Sequence, residues 1–155
     1  MVVEELIIKK GDKEIYGNIY YPNKEGKFPA VILSHGFNGS YSDFVTECEY
    51  YASHGFIAYS FDFCGGSVTS KSSGKTTDMT IFSEKQDLLI VLEHISNLEN
   101  VEEKRIYLFY SILQGILLCA LERYAKKWKR TENDGLRTWP KNKTIDRYSN
   151  HKEEA

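Results

Sequence analysis

The stretch Ala30–Gly39 constrains the fold of this chain most, because an apolar run passes directly into a polar loop. Ala30–Leu33 is apolar without a break, which is typical of a parallel strand buried on both faces. The following residues, Ser34–Gly39, contain two glycines and predict a tight loop. Ligands of open α/β sheets bind just outside the carboxyl ends of the strands, so this loop is a candidate wall of a site. A buried strand followed by an ordinary turn is the alternative.

Two strands are predicted before this stretch. Val2–Lys9 and Glu14–Tyr21 are rich in β-branched and aromatic residues. The turn-forming residues between them predict an antiparallel hairpin. Pro22–Pro29 predicts a polar loop that leads into the strand at Ala30.

Helices and strands alternate after the loop. A helix is predicted from Ser42, a suitable N-cap, to Gly55, a suitable left-handed stop. The apolar segment Phe56–Phe61 predicts a further strand, and Asp62–Ser67 predicts a glycine-rich loop that continues as a long polar segment to Asp78. The glycines have neither the P-loop spacing nor the dinucleotide-binding spacing, so no phosphate site and no cofactor are predicted.

The second predicted helix runs from Thr80 to about Asn97 and carries an apolar stripe at helical spacing. This periodicity assigns four charged side chains to its solvent face: Glu84, Lys85, Asp87 and Glu93. A polar connection at Asn97–Lys104 then leads into a strand at Arg105–Phe109. A hairpin followed by alternating strands and helices predicts an α/β fold with a parallel sheet and right-handed crossovers.

The carboxyl-terminal part of the chain changes in character. Tyr110–Lys127 is apolar and compatible with a helix, whereas the residues from Trp128 onward are highly charged. That composition offers too little apolar area to offset the entropy of ordering, so a disordered tail is predicted. The predicted organisation is one partial α/β domain over residues 1–127 and a polar tail over residues 128–155, without internal repeats.

Composition narrows the class of protein. The 155 residues carry a formal net charge of −2, without the basic excess of a nucleic-acid binder. The sequence contains no uninterrupted run of about 18 apolar residues, so no transmembrane helix is predicted. The three cysteines are an odd number without metal-ligand spacing, which favours free thiols in a reducing compartment: Cys48, Cys64 and Cys119. The prediction is a cytoplasmic protein with no metal site, no nucleic-acid partner and no membrane partner.

Four short segments together resemble a known family. They are SHGFNG at Ser34–Gly39, SFDFCGGS at Ser60–Ser67, KTTDMT at Lys75–Thr80 and IYLF at Ile106–Phe109. In this order and separation they are similar to the amino-terminal half of α/β-hydrolase serine esterases of the bacterial cinnamoyl/feruloyl esterase-like group. The resemblance covers residues 1 to about 109. It implies an incomplete α/β-hydrolase sheet and a small carboxylic ester as substrate.

The resemblance also assigns roles to individual residues. In that family the loop after the third strand supplies one backbone N–H of the oxyanion hole, and by position that donor is Phe37. Gly36 beside it permits close backbone approach. Each preorganised donor to the oxyanion of a tetrahedral intermediate is worth about 2.7–4 kcal/mol of barrier. Asp62 and Gly65, by the same resemblance, shape the loop after the fourth strand and take no part in the chemistry.

The chain departs from the family pattern directly after IYLF. The family places a nucleophile elbow, Gly-x-Ser-x-Gly, at this point, and this chain reads Tyr110-Ser111-Ile112-Leu113-Gln114-Gly115. Ser111 is the candidate nucleophile, but it stands one residue out of register and lacks the glycines that the strained elbow needs. The alternative is a serine at an ordinary strand-to-helix turn. The candidates for the acid and the base lie in the polar tail: Asp134, Asp146 and His151.

These departures predict a truncated or frame-shifted ester hydrolase that is catalytically impaired. The alternative is a non-catalytic remnant or interaction module, which would pair with itself or another chain through a sheet edge left exposed at Arg105–Phe109. A third hypothesis gives Cys64 a thiol or redox role in its glycine-rich loop, against a buried structural thiol.

Overall fold

The computed structural model describes residues 1–110, with the backbone alone for Tyr110. They form five strands and two α-helices: β1 (Val2–Lys10), β2 (Lys13–Tyr21), β3 (Phe28–Ser34), α1 (Val45–Ser53), β4 (Ile57–Phe61), α2 (Ile81–Ser96) and β5 (Val101–Tyr110). Short 3₁₀ turns lie at Tyr41–Phe44 and Thr76–Asp78. The predicted order of elements is confirmed as far as β5. The predictions for Tyr110–Lys127 and for the tail lie outside the described residues.

The strands form one mixed sheet in the order β1-β2-β4-β3-β5. β2 is antiparallel to both β1 and β4, whereas β3 is parallel to both β4 and β5. The predicted α/β class, with an antiparallel hairpin followed by parallel strands, is confirmed. Within residues 1–110, β1 and β5 are the two edges of the sheet.

β3 is buried on both faces, as its unbroken apolar run predicts. Val31 and Leu33 pack in a cluster with Cys48 and Ala52 of α1. Because side chains alternate along a strand, Ala30 and Ile32 project to the opposite face, where they are also buried. The carboxyl end of β3 therefore lies inside the sheet, between β4 and β5.

The β1–β2 hairpin turns through Gly11 and Asp12. Gly11 has a φ of 61°, which matches a type II′ turn with glycine at its first central position. The two-residue loop fixes the register, with Lys10 opposite Lys13 and Ile7 opposite Tyr16. Each strand is one residue longer at the turn than the sequence predicts.

The start of α1 differs from the prediction. Ser40, and not Ser42, is the capping residue, because its Oγ accepts the Ser42 N–H while its own N–H donates to Asp43. The cap opens the 3₁₀ turn, and α1 follows only at Val45. The predicted stop is confirmed, since Gly55 has a φ of 84°.

β5 begins at Val101, earlier than the predicted Arg105. Val101 is buried and pairs with Phe28, and an irregularity in the β3–β5 register follows between Phe28 and Ala30. The predicted loop character of Asn97–Lys104 rested on its charges. A strand with one neighbour can carry charged side chains, since part of it faces solvent.

The predicted solvent face of α2 is wrong for two residues, because Glu84 and Asp87 are only 7% and 0% exposed. They stand four residues before Leu88 and Val91, so they lie along the same stripe of the helix as these buried side chains. Asp87 Oδ1 accepts from Lys10 Nζ at 2.5 Å, and its Oδ2 accepts the Cys64 N–H at 2.8 Å. Asp87 thereby joins α2 to the end of β1 and to the loop after β4.

Replacing Glu84 with glutamine is expected to stabilise the protein at neutral pH. Burial raises the pKa of Glu84, and the nearby Asp87 carboxylate adds a smaller effect in the same direction. The folded protein therefore binds this proton more tightly than the unfolded chain, so stability falls as the pH rises through the folded-state pKa. Glutamine does not ionise, and the melting temperature of Glu84→Gln should exceed that of the unmodified chain at pH 7.

The difference should close at about pH 4, below the ordinary pKa of a glutamate. Glu93→Gln changes an exposed glutamate on the same helix and serves as the control. A gap for Glu84→Gln that is the same at both pH values would contradict the assignment.

Candidate active site

The loop after β3 leaves the sheet at the middle of its carboxyl edge. Ser34, the last residue of β3, lies opposite Phe61 of β4 on one side and Tyr110 of β5 on the other. Residues 35–39 therefore start between the ends of two parallel strands. The loop that the sequence marks as a candidate site wall occupies the position where ligands bind in sheets of this kind.

A tight turn shapes this loop. The Gly39 N–H donates to the Gly36 carbonyl at 3.1 Å, and Asn38 has a φ of 58°. These features match a type II turn with Phe37 and Asn38 at its corners. The Phe37 N–H forms no hydrogen bond with any atom of residues 1–110, and Phe37 is 81% exposed. The turn therefore presents the Phe37 N–H as a donor without an acceptor among residues 1–110.

His35 holds the base of the loop. Its ring is buried, and its Nε2 accepts the Phe63 N–H at 3.3 Å. The remaining proton of the neutral ring is therefore on Nδ1, which donates to the Gly36 carbonyl at 2.7 Å. Asp62 Oδ1 lies 3.9 Å from Nε2, but that nitrogen carries no proton, so the contact is not an ion pair. His35 acts here as a positioning residue.

Asp62 connects the two loops at this edge of the sheet. Its side chain is fully buried at the end of β4. Oδ1 accepts the Tyr41 N–H at 2.7 Å, and Oδ2 accepts the Lys71 N–H at 2.8 Å. The Asp62 carbonyl also accepts from Ser72 Oγ at 2.6 Å. One residue thus fixes the 3₁₀ turn after the Phe37 loop and the segment at 71–72.

A lysine and two tyrosines form a cluster next to the segment that Asp62 fixes. Lys71 Nζ donates to the hydroxyls of Tyr16 and Tyr41 at 3.1 and 3.0 Å and lies 4.4 Å from the centre of the Tyr16 ring. The bonds to Tyr41 and then Tyr16 raise the pKa of Lys71. Burial, followed by the hydrogen bond to Glu5, raises the pKa of Tyr16. The Lys71 ammonium and the Tyr16 hydroxyl therefore keep their protons at neutral pH. The cluster connects β2, the 3₁₀ turn at Tyr41–Phe44 and the loop that contains Lys71.

Cys64 lies in the glycine-rich loop as a buried thiol. Burial raises the pKa of Cys64 to about 11 and that of Cys48 to about 12. Both thiols are protonated at neutral pH, and a protonated thiol is a poor nucleophile and metal ligand. This favours the structural alternative for Cys64. Among residues 1–110 no group of three or more His, Cys, Asp or Glu side chains could hold a metal ion.

The other predicted site residues lie outside the described part of the chain. These are Ser111, one position beyond β5, and the acid and base candidates Asp134, Asp146 and His151. Cys119 lies there as well. Phe37 and Gly36 are the predicted site residues that the structure describes, at the carboxyl end of β3.

Sequence reasoning missed three of the residues that connect the elements around the candidate site. His35 was part of a motif without a role of its own, and only the fold brings the Phe63 N–H to its ring. Asp87 could have been found, because it stands four residues before an apolar residue of the stripe. Lys71 carries no such signal, since it lies in a long polar segment of the sequence. Its hydrogen bonds to Tyr16 and Tyr41 form only in the folded protein.

Comparisons with known proteins identify the relatives of this arrangement. A family model described as acetyl xylan esterase (AXE1) matches residues 7–131. The structure of Est1E from Butyrivibrio proteoclasticus with bound ferulic acid is 26% identical, with a TM-score of 0.67 over 77% of this chain and 48% of that one. The structure of DcsB in complex with its substrate analogue is 27% identical, with a TM-score of 0.67 over 77% of this chain and 41% of that one.

Acetyl Xylan Esterase 1 from Thermoanaerobacterium sp. JW/SL YS485 shares the fold. It is 22% identical, with a TM-score of 0.63 over 76% of this chain and 43% of that one. The chain spans less than half the length of each of these three proteins. No curated protein matches it.

Proposed function

This chain belongs to the acetyl xylan esterase (AXE1) family, and from that premise we propose that it carries the oxyanion-hole side of a serine ester hydrolase but is impaired in catalysis. Esterase and hydrolase ancestry is the common feature of the family match and of the Est1E likeness. The impairment is inferred from the residues that follow β5.

The observation that carries the proposal is the Phe37 N–H at the carboxyl end of β3, which has no acceptor among residues 1–110. A carbonyl oxygen placed against this donor would develop negative charge on attack, and a fixed N–H stabilises that charge without reorganisation. Gly36 leaves room for the acyl group beside the backbone. The hydrogen bonds of His35 and Asp62 support the donor, because they fix both ends of the loop that carries it.

The candidate nucleophile follows β5 in the sequence. Ser34 lies opposite Tyr110, the last residue that the structure describes, and Ser111 is the next residue of the chain. In α/β-hydrolases the nucleophile elbow follows a strand of the sheet. However, Tyr110 and Leu113 stand beside Ser111 and Ile112 where the elbow requires glycines. We infer that Ser111 is not activated, and that Asp134, Asp146 and His151 do not complete a triad.

The substrate of an active ancestor would be a small carboxylic ester. The family name points to an acetyl group and the Est1E complex to an aromatic acid. Hydrolysis of such esters by a serine needs no metal or cofactor. No helix within the described residues is long and apolar enough to cross a membrane. A cytoplasmic location and the absence of a nucleic-acid partner remain predictions.

A non-catalytic interaction module is the second candidate. Within residues 1–110, β5 has β3 as its one strand neighbour, and Tyr107, Leu108 and Phe109 are only partly buried. An edge of this kind can pair with another chain. Under this alternative the family fold is retained for binding, and the oxyanion loop has no substrate.

Hydrolysis of p-nitrophenyl acetate and p-nitrophenyl butyrate by the purified full chain tests the proposal. We expect no turnover above the rate in buffer, and no change in Ser111→Ala. Ser53→Ala replaces an exposed serine of α1 and is the control. Turnover that is lost in Ser111→Ala and kept in Ser53→Ala would show an active nucleophile and contradict the proposed impairment.

A further inference from the structure

β1 forms an edge of the sheet that is suited to a second copy of the chain. Within residues 1–110 it pairs with β2 alone. Two apolar side chains on one of its faces, Val3 and Ile7, are 44% and 46% exposed. Exposed apolar residues on a long edge strand favour pairing with another strand.

The hydrogen bonds of β2 show which backbone groups of β1 face outward. The N–H and C=O of Tyr16 bond to Ser72 Oγ and to the Asp62 N–H, away from β1. Ile7 is the residue opposite Tyr16, so this is a pair without mutual hydrogen bonds. The N–H and C=O groups of Ile7 therefore point away from β2, toward the open edge of the sheet.

The same alternation applies along the strand. The Glu14 N–H donates to Ser73 Oγ, and its carbonyl accepts the Ser73 N–H. Lys9, which lies opposite Glu14, therefore also presents its backbone outward. Alternate residues of β1 thus offer a row of donors and acceptors to a further strand.

We propose that two copies of the chain pair through β1 in antiparallel orientation, about a twofold axis at Ile7. Ile7 then lies opposite Ile7 of the partner subunit. Glu5 faces Lys9 of the partner subunit, and Glu4 faces Lys10 of the partner subunit. Leu6 and Ile8 lie opposite each other in the same way. The two five-stranded sheets become one continuous sheet.

The order of charges along β1 selects this register. The strand reads Glu4-Glu5-Leu6-Ile7-Ile8-Lys9-Lys10, with acids before the apolar centre and bases after it. Antiparallel pairing about the centre sets every acid against a base, and opposite charges on facing strand residues are stabilising. Moving the axis by one residue to Leu6 or Ile8 places Glu5 or Lys9 opposite Ile7. The charge pattern therefore argues for a second copy as the partner.

The charged side chains of β1 already have partners within their own chain, and pairing of two copies would add a second partner to each. Glu5 accepts from the Tyr16 hydroxyl, Lys9 pairs with Glu14, and Lys10 pairs with Asp87. Lys10 is largely covered, whereas Lys9 is exposed. The pair between Glu5 and Lys9 of the partner subunit is thus the main electrostatic contact.

Sedimentation equilibrium of the full chain over a range of concentrations tests the proposal. We expect a monomer–dimer equilibrium that Ile7→Lys weakens about tenfold or more, because two like charges then meet on the axis. Val3→Lys adds the same charge at a similarly exposed position of the same edge. In the proposed dimer, however, this position lies opposite the turn residue Gly11 of the partner subunit. We expect it to change the dissociation constant by no more than about twofold.

Three results would overturn the proposal: a monomer at all concentrations, a dimer unaffected by Ile7→Lys, or equal weakening by both variants. The far-UV circular dichroism spectrum shows whether each variant is folded. Glu5→Lys is the second disrupting variant, since it sets a lysine against Lys9 of the partner subunit. It should weaken the dimer as Ile7→Lys does, and an unchanged dimer would equally overturn the register.

Discussion

Replacing Gly65 with alanine is expected to destabilise the protein by about 3 kcal/mol. Gly65 has a φ of 72°, a left-handed conformation that costs an alanine about 1–2 kcal/mol. A Cβ at this position would also lie 2.4 Å from the carbonyl oxygen of Lys75. That contact involves backbone and cannot be relieved by turning a side chain, so overpacking adds about 1–3 kcal/mol.

Gly55→Ala is the matched control for this prediction. Gly55 has a similar φ of 84°, but its added Cβ would meet no atom within 4 Å. The control should therefore lose only the conformational part, about 1–2 kcal/mol. The free energies of unfolding of the two variants, measured in urea, give the cost of the contact by difference. Equal losses would mean that the loop after β4 does not pass as closely over Lys75 as described.

Replacing Asp62 with alanine is expected to cost about 3 kcal/mol of stability. The substitution removes the acceptors of the Tyr41 and Lys71 N–H groups, and each such group left without a partner costs about 1–3 kcal/mol. Removal of a buried charge and access of water to the outer groups offset part of this cost. Asp62→Asn keeps one accepting oxygen and should lose about half as much.

Asp43→Ala controls for the loss of an aspartate at this edge of the sheet. Asp43 is exposed and accepts one N–H, that of Ser40, as part of the cap. Its loss should cost about 1 kcal/mol, as for other caps. Urea unfolding of the variants measures all three values. A loss in Asp62→Ala no larger than in Asp43→Ala would contradict the role of Asp62 in joining the two loops.

The sequence predicts the fold well where one physical effect dominates. The apolar run at Ala30–Leu33 is typical of a strand buried on both faces, and β3 is buried on both faces. The glycine at residue 55 ends α1 as predicted. In both cases the decisive property belongs to the residues themselves and does not depend on what they contact.

The predictions that are wrong concern charged or polar residues whose partners come from distant parts of the chain. The periodicity of α2 predicts Asp87 on the solvent face, because the Lys10 ammonium and the Cys64 N–H that bond to it are apparent only in the folded sheet. The charged residues before Arg105 likewise predict a polar connection, although β5 already begins at Val101. Composition alone does not show which polar groups are paired, since pairing depends on tertiary structure.

The candidate site is predictable in part for the same reason. The glycine-containing loop after Leu33 predicts the wall of a site, and the resemblance to the esterase group predicts Phe37 as a donor. The tautomer of His35 and the bond from the Tyr41 N–H to Asp62 depend on residues more than 20 positions apart and emerge only from the fold.

Reaction of the full chain with a fluorophosphonate, followed by intact-protein mass spectrometry, tests the central claim most directly. An activated serine gives up its hydroxyl proton to a base, its oxygen forms a bond to phosphorus, and fluoride leaves. We expect no adduct at Ser111, because that residue follows Tyr110 in the sequence without the glycines of an elbow. An adduct at one serine that disappears in Ser111→Ala would contradict it and show that this chain retains an activated nucleophile.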